Sequence, residues 1–120
     1  MYLFNTTTGR VIADDVRSVN NPLSRLIGLL GHATVAPSQG IWLAHCSAVH
    51  TMGMRATIDL IFLDAGNRVV GAVPNAVPNR PAFTCRGAKT VVELGAGSRL
   101  ELVEHGHKLA LVETDPNAAS

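Results

Sequence analysis

The sequence predicts an all-β domain: a compact β-sandwich or partly closed barrel of about seven short strands with one or two short helices. Three observations predict it. Eleven glycines and six prolines punctuate the chain, which leaves little room for long helices. The apolar segments between them are short and rich in Val, Ile and Leu, the composition of strands. Finally, 120 residues that are 47% hydrophobic and 16% charged, against a usual ~25% charged, fit one domain over residues 1–120 and exclude a disordered chain.

In chain order, strands are predicted at Leu3–Asn5 and Arg10–Asp14. A helix follows. Asn20 or Asn21 can cap it, Pro22 suits its first position, Leu23, Leu26, Ile27 and Leu30 recur as one buried stripe, and Gly31 ends it. Gly28 inside it costs about 1 kcal/mol relative to Ala, so a neighbouring element is expected to pack closely there. Strands return at Ile41–Cys46, Thr57–Leu63 and Arg68–Val73. The last two are joined by Asp64-Ala65-Gly66-Asn67, residues that tolerate positive φ in a tight hairpin. Thr90–Leu94 is a strand that leads into a tight turn, Gly95-Ala96-Gly97-Ser98. Ser98-Arg99-Leu100-Glu101 has the capping-box spacing of a short helix, although a strand through Leu100 and Leu102 fits the same residues. A strand at Lys108–Val112 precedes a polar tail, Thr114–Ser120, expected to be flexible.

Ten Lys+Arg against nine Asp+Glu leave a net charge of +1. Composition therefore supplies no field to grip nucleic acid or an anionic membrane. No run approaches ~18 uninterrupted apolar residues, because Asp59 and Asp64 break the most hydrophobic segment. Met1-Tyr2-Leu3-Phe4-Asn5-Thr6 lacks the basic start and apolar stretch of a signal peptide. A cytoplasmic setting is expected, with Cys46 and Cys85 as free thiols. The expected partner is a small molecule or a protein, with self-association through a sheet edge as a further option. No cofactor is expected.

The densest polar stretch is His45-Cys46-Ser47-Ala48-Val49-His50-Thr51-Met52-Gly53-Met54. In a regular strand, Cys46 and His50 share a face but stand about 13 Å apart, too far for one metal or for direct proton transfer. A packed thiol and a hydrogen-bonded imidazole are the plainer reading. Asp59 interrupts an otherwise apolar run and needs partners there. A turn near Gly53, Met54 and Arg55 would set His50 opposite or diagonal to Asp59, whereas a one-residue slip would separate them. Such a pair would fix the imidazole tautomer for a general base, a ligand anchor or a structural bond. Arg55 in the intervening loop is an alternative partner for Asp59 or a contact for an anionic ligand. Glu93, inside another apolar strand, raises the same question. His105 and His107 have strand-ligand spacing without a third ligand, so no metal site is expected from them. The amides of the Gly95-to-Ser98 turn could cradle an anion, but no long helix follows, and a plain tight turn fits better. Trp42, the one tryptophan, reads as core or pocket wall.

Taken in order, several stretches resemble the bacterial and archaeal domain of unknown function 192 family. They are Gly28-Leu29-Leu30, then Gly40-Ile41-Trp42-Leu43, then the block from His50 to Asp64, then Glu93-Leu94-Gly95-Ala96-Gly97, and finally Gly106-His107. The similarity runs from about Asn20 to Val112. His50-Thr51-Met52-Gly53-Met54 stands where many members have Trp-Met-x-Asn-Thr, and His107 stands where the family has a late Asp. The resemblance implies a compact β-sandwich or barrel-like fold with small helices, and it implies no particular activity.

The expected function is a non-catalytic ligand- or protein-binding module with a cleft lined by Trp42, His50, Met52, Met54, Arg55 and Asp59. Two methionines around a glycine make an adaptable apolar surface beside polar groups. Gap-filling core is the competing role for Met52 and Met54. The alternative is a small hydrolytic or metal-assisted enzyme with His50 as base, Asp59 as its orienter, and Cys46 or Glu93 contributing.

Overall fold

The apolar runs form ten strands in the computed structural model, which describes residues 1–19 and 34–118. They are β1 (Tyr2–Asn5), β2 (Arg10–Ala13), β3 (Asp15–Val19), β4 (Gln39–Ala44), β5 (Ala48–Val49), β6 (Ile58–Leu63), β7 (Val69–Ala76), β8 (Phe83–Thr84), β9 (Thr90–Gly95) and β10 (Leu109–Val112). A 3-10 turn at Leu100–Leu102 is the one helical element among the described residues. The helix expected from Asn20 to Gly31 lies outside them. No described helix is long and apolar enough to cross a membrane.

β6 and β9 are buried at every position, and strands apolar on both faces must be covered on both. They lie inside a five-stranded sheet of order β3-β4-β9-β6-β7, antiparallel except for the parallel β3–β4 pair. On one face, Trp42, Ile61, Leu63, Val92 and Leu94 pack with Leu3, Ile12, Ala13 and Leu109 of a three-stranded sheet of order β10-β1-β2. On the other face, Ile41, Leu43, Leu60, Phe62 and Val91 pack with Cys46, Met54 and Ala88. Half-buried Val49 and Phe83 from the two-stranded β5–β8 ribbon join that second core. Two open sheets share one core, and neither closes on itself, so the architecture is the sandwich of the two expected alternatives.

All seven expected strands are present, with shifted ends. The β6–β7 hairpin turns at residues 64–67 as expected. Asn67 takes φ 62, and Asp64 Oδ1 accepts the Gly66 and Arg68 amides, both at 2.9 Å. β4 stops at Ala44 instead of reaching Cys46, because His45 adopts φ 54 and ends the strand alternation. β7 runs on through Pro74 to Ala76; it is an edge strand, where a missing N–H breaks no ladder bond. Three strands were not expected. β3 buries only Val16 and Val19, too few apolar positions to show a period. β5 and β8 are two residues each, too short for any pattern.

The capping box at Ser98 does not form: the 3-10 turn has Arg99 at its N-cap position with no side-chain cap, and no strand runs through Leu100 and Leu102. The Ser98 hydroxyl is engaged elsewhere, as described below. In the tail, Ala118 N–H bonds Asp115 O in a turn, and Asn117 Nδ2 donates to Gly9 O at 3.2 Å.

Candidate functional site

Between Ile58 and Leu60 the β6–β7 register slips: Ile58 faces Ala76 and Leu60 faces Val73, so Pro74 and Asn75 together oppose Asp59. Asn75 takes φ 55 at this bulge, and its amide donates to Asp59 Oδ1 at 2.9 Å. Ser98 satisfies the other carboxylate oxygen, donating to Asp59 Oδ2 from its amide at 3.0 Å and from its hydroxyl at 2.6 Å. Gly97, at φ 84, turns the chain so that Ser98 can do this. Asp59 is 3% exposed, and three donors replace the water it lost. The turn after β9 therefore does hold an anion on a backbone amide, and the anion is the chain's own carboxylate. Asp59 is a brace between the β7 bulge and that turn.

The expected His50–Asp59 pair is absent. His50 is exposed, and its Nδ1 accepts the Met52 amide at 3.2 Å. Asn75 and Ser98 are the donors to Asp59, and Arg55 is exposed.

Glu93 lies on the opposite face of the sheet. Register places it between Ile41 of β4 and Leu60 of β6, whereas Asp59 is aligned with Leu94, and neighbouring residues in a strand face opposite ways. The two buried carboxyls serve separate surroundings. Burial pushes the Glu93 carboxyl up from 4.5 to about 7.

The six residues expected to line one cleft divide three ways. Trp42 and Asp59 belong to the face under the small sheet, Met54 is buried in the opposite core, and His50, Met52 and Arg55 are exposed. Met54 thus takes the gap-filling role; Met52, 49% exposed, does not.

What organises this stretch is Thr51, a residue the sequence reading passed over. It is fully buried. Its hydroxyl donates to Val77 O at 2.7 Å and accepts the Arg80 amide at 2.9 Å. Its own amide donates to Arg80 O, and its carbonyl accepts from Asn79 N–H and Met54 N–H. Gly53 N–H then bonds Asn79 Oδ1 at 3.0 Å. The loop over residues 50–55 is thereby clasped to the loop over residues 77–80, and Met52 and Val77, the latter 40% exposed, stand on the clasped surface. The only cue in the sequence was Val77-Pro78-Asn79-Arg80-Pro81, a turn-rich string whose Asn79 takes φ 62. Thr51→Val keeps the shape and leaves the Arg80 amide and the Val77 carbonyl without the hydroxyl. It is expected to lower unfolding free energy by about 2 kcal/mol in urea titration; a loss below ~0.5 kcal/mol would mean that water replaces the clasp.

The remaining candidates lie apart from these loops. His107 Nδ1 accepts from Asn5 Nδ2 at 3.0 Å and from the Glu104 amide at 3.2 Å, which ties it to fully buried Asn5. His105 is exposed. Among the described residues no three His, Cys, Asp or Glu side chains converge as a metal site. Cys46 and Cys85 are unbridged; Cys46 Sγ donates to Ala48 O, and Cys85 Sγ to Val70 O.

The model of the DUF192 family, described as uncharacterised, matches residues 3–111. No curated protein matches the chain. Among solved structures, a Sinorhizobium meliloti 1021 protein provisionally named a transcription regulator superposes with a TM-score of 0.75 at 24% identity, over 91% of this chain and 89% of its own. A protein of unknown function from Novosphingobium aromaticivorans DSM 12444 gives 0.76 at 17% identity, over 92% and 82%. At these identities the likeness is one of fold.

Proposed function

Because the chain belongs to the DUF192 family, whose fold dictates no activity, we propose from its own residues that it is a non-catalytic module that binds a protein partner through the clasped loops 50–55 and 77–80. The observation that carries this reading is the exposure of Met52 and Val77 on loops whose backbone is already fixed by Thr51 and Asn79. A preformed backbone lowers the ordering cost of association, and methionine adapts to the surface it meets. The enzyme alternative required His50 and Asp59 to meet. With Asp59 held by Ser98 and Asn75, and Glu93 on the other face, those groups do not form one acid–base centre. A cytoplasmic setting, with both thiols free, belongs to the same proposal.

Site-specific photocrosslinking tests it. A benzophenone side chain at position 52 or 77 is expected to capture the same protein from a native extract, and one at position 105 is not. Met52→Ser is then expected to weaken that partner about tenfold with the thermal midpoint unchanged. Equal capture at all three positions, or an affinity insensitive to Met52→Ser, would sink the reading.

A further inference from the structure

The net charge of +1 conceals a segregation that the fold makes visible. The two chain segments that form the outer ribbon, residues 45–57 and 77–89, carry Arg55, Arg80, Arg86 and Lys89 and no acidic residue. All four are exposed. The segments run side by side: Cys46 N–H bonds Lys89 O, Ala48 aligns with Thr84, Val49 with Phe83, and Thr51 N–H bonds Arg80 O. The segments forming the layer on the far side, residues 1–14 and 96–118, carry five acids, Asp14, Glu101, Glu104, Glu113 and Asp115, against three cations, Arg10, Arg99 and Lys108.

We propose that the β5–β8 ribbon with its flanking loops is a docking surface for an acidic protein segment bearing an apolar side chain. The proposal rests on the binding reading above and adds the partner's chemistry to it. Arg80, Arg86 and Lys89 stand exposed on segments without an acidic residue, and a partner that brings carboxylates complements them while its apolar side chain covers Met52 and Val77. The apolar pair argues for protein over nucleic acid. So does the absence of an exposed aromatic on the ribbon: Phe83 is half-buried against the core and Trp42 is buried under the small sheet, so no described platform for stacking bases is presented there. Four dispersed cations also fall short of the ~6–10 phosphate contacts of a typical DNA-binding surface.

The test is selection from a random peptide library on the immobilised full-length protein, followed by fluorescence anisotropy on the selected peptides. Enriched peptides are expected to combine several Asp or Glu with at least one large apolar residue, and to lose most of their affinity near 1 M salt, where the screening length falls to about 3 Å. The double variant Arg80→Glu with Arg86→Glu is expected to weaken them by more than about tenfold. Arg10→Glu, on the acidic layer, is expected to change them by less than about twofold. Circular dichroism of each variant separates lost binding from lost fold. Four outcomes would overturn the proposal: peptides without acidic bias, an equal loss with Arg10→Glu, tighter binding of a short DNA duplex than of any selected peptide, or dimerisation in light scattering that Arg80→Glu abolishes, which would assign the ribbon to a second copy of this chain. Peptides that respond to Met52→Ser but not to the double charge reversal would refute the acidic specificity and leave the binding reading standing.

Discussion

Asp59→Ala is expected to lower unfolding free energy by about 3 kcal/mol, the largest loss from any polar side chain described here. The substitution strands the Ser98 amide and hydroxyl in a buried position and removes the acceptor that holds the Asn75 amide at the β7 bulge. An orphaned buried donor costs about 1–3 kcal/mol, and water reaches the Asn75 side more readily because Asn75 is exposed while Ser98 is buried. Asp59→Asn should lose less, about 1–2 kcal/mol, because one amide oxygen still accepts while the NH2 group faces a donor. Ser98→Ala, which removes one of the three bonds, should lose about 1 kcal/mol. Urea titration at pH 7 of the three variants gives the ranking. A loss below ~1 kcal/mol for Asp59→Ala would show that the carboxylate is not the brace described.

The second large effect is a pH dependence set by Glu93. Burial raises its carboxyl from 4.5 to about 7 in the folded chain, while in the unfolded chain it titrates near its ordinary value. Below pH 4.5 both states are protonated, and the group contributes no difference. Between about 4.5 and 7 the unfolded chain ionises while the folded chain holds its proton. The folded state then binds more protons, and stability falls as pH rises. Above 7 both are ionised and the loss is complete, at roughly 3 kcal/mol. Glu93→Gln cannot ionise, so it is expected to flatten that decline and to exceed the wild type in stability at pH 8 while losing its advantage near pH 4. Unfolding titrations from pH 4 to 8 read this directly. Parallel curves for the two proteins would mean that Glu93 is better solvated or better partnered than its surroundings indicate.

How much of this was legible in the residues depends on the distance over which each feature is encoded. The β6–β7 hairpin is local: two apolar runs and Asp64-to-Asn67 between them suffice. The anomaly at Asp59 was legible too, since a carboxylate in an apolar strand must find donors. Its donors were not, because Ser98 is 39 residues away and Asn75 reaches it only through a bulge. The His50–Asp59 expectation assumed two regular strands joined by a tight turn. His45 ends β4 early and Thr51 clasps the following loop to residues 77–80, so the premise of a continuous strand fails at its first residue. Thr51 itself was invisible because a threonine in a polar stretch carries no periodic signal. The charge segregation escaped for a related reason: a net charge sums over the chain, while the fold sorts the charges by layer.

The small sheet places β1 between β2 and β10, with Tyr2 opposite Val112 and Asn5 opposite Leu109. A ribosome releases β1 and β2 together and β10 much later. Until residues 109–112 emerge, β1 has only β2 beside it and the core between the sheets lacks Leu109, and β9, the central strand of the large sheet, emerges after the β4 and β6 that flank it. Ile12, Val16 and Trp42 share the core that Leu109 completes. The core between the sheets is complete only once residues 109–112 are out, so the interval before they emerge is the one in which holding by a chaperone matters most.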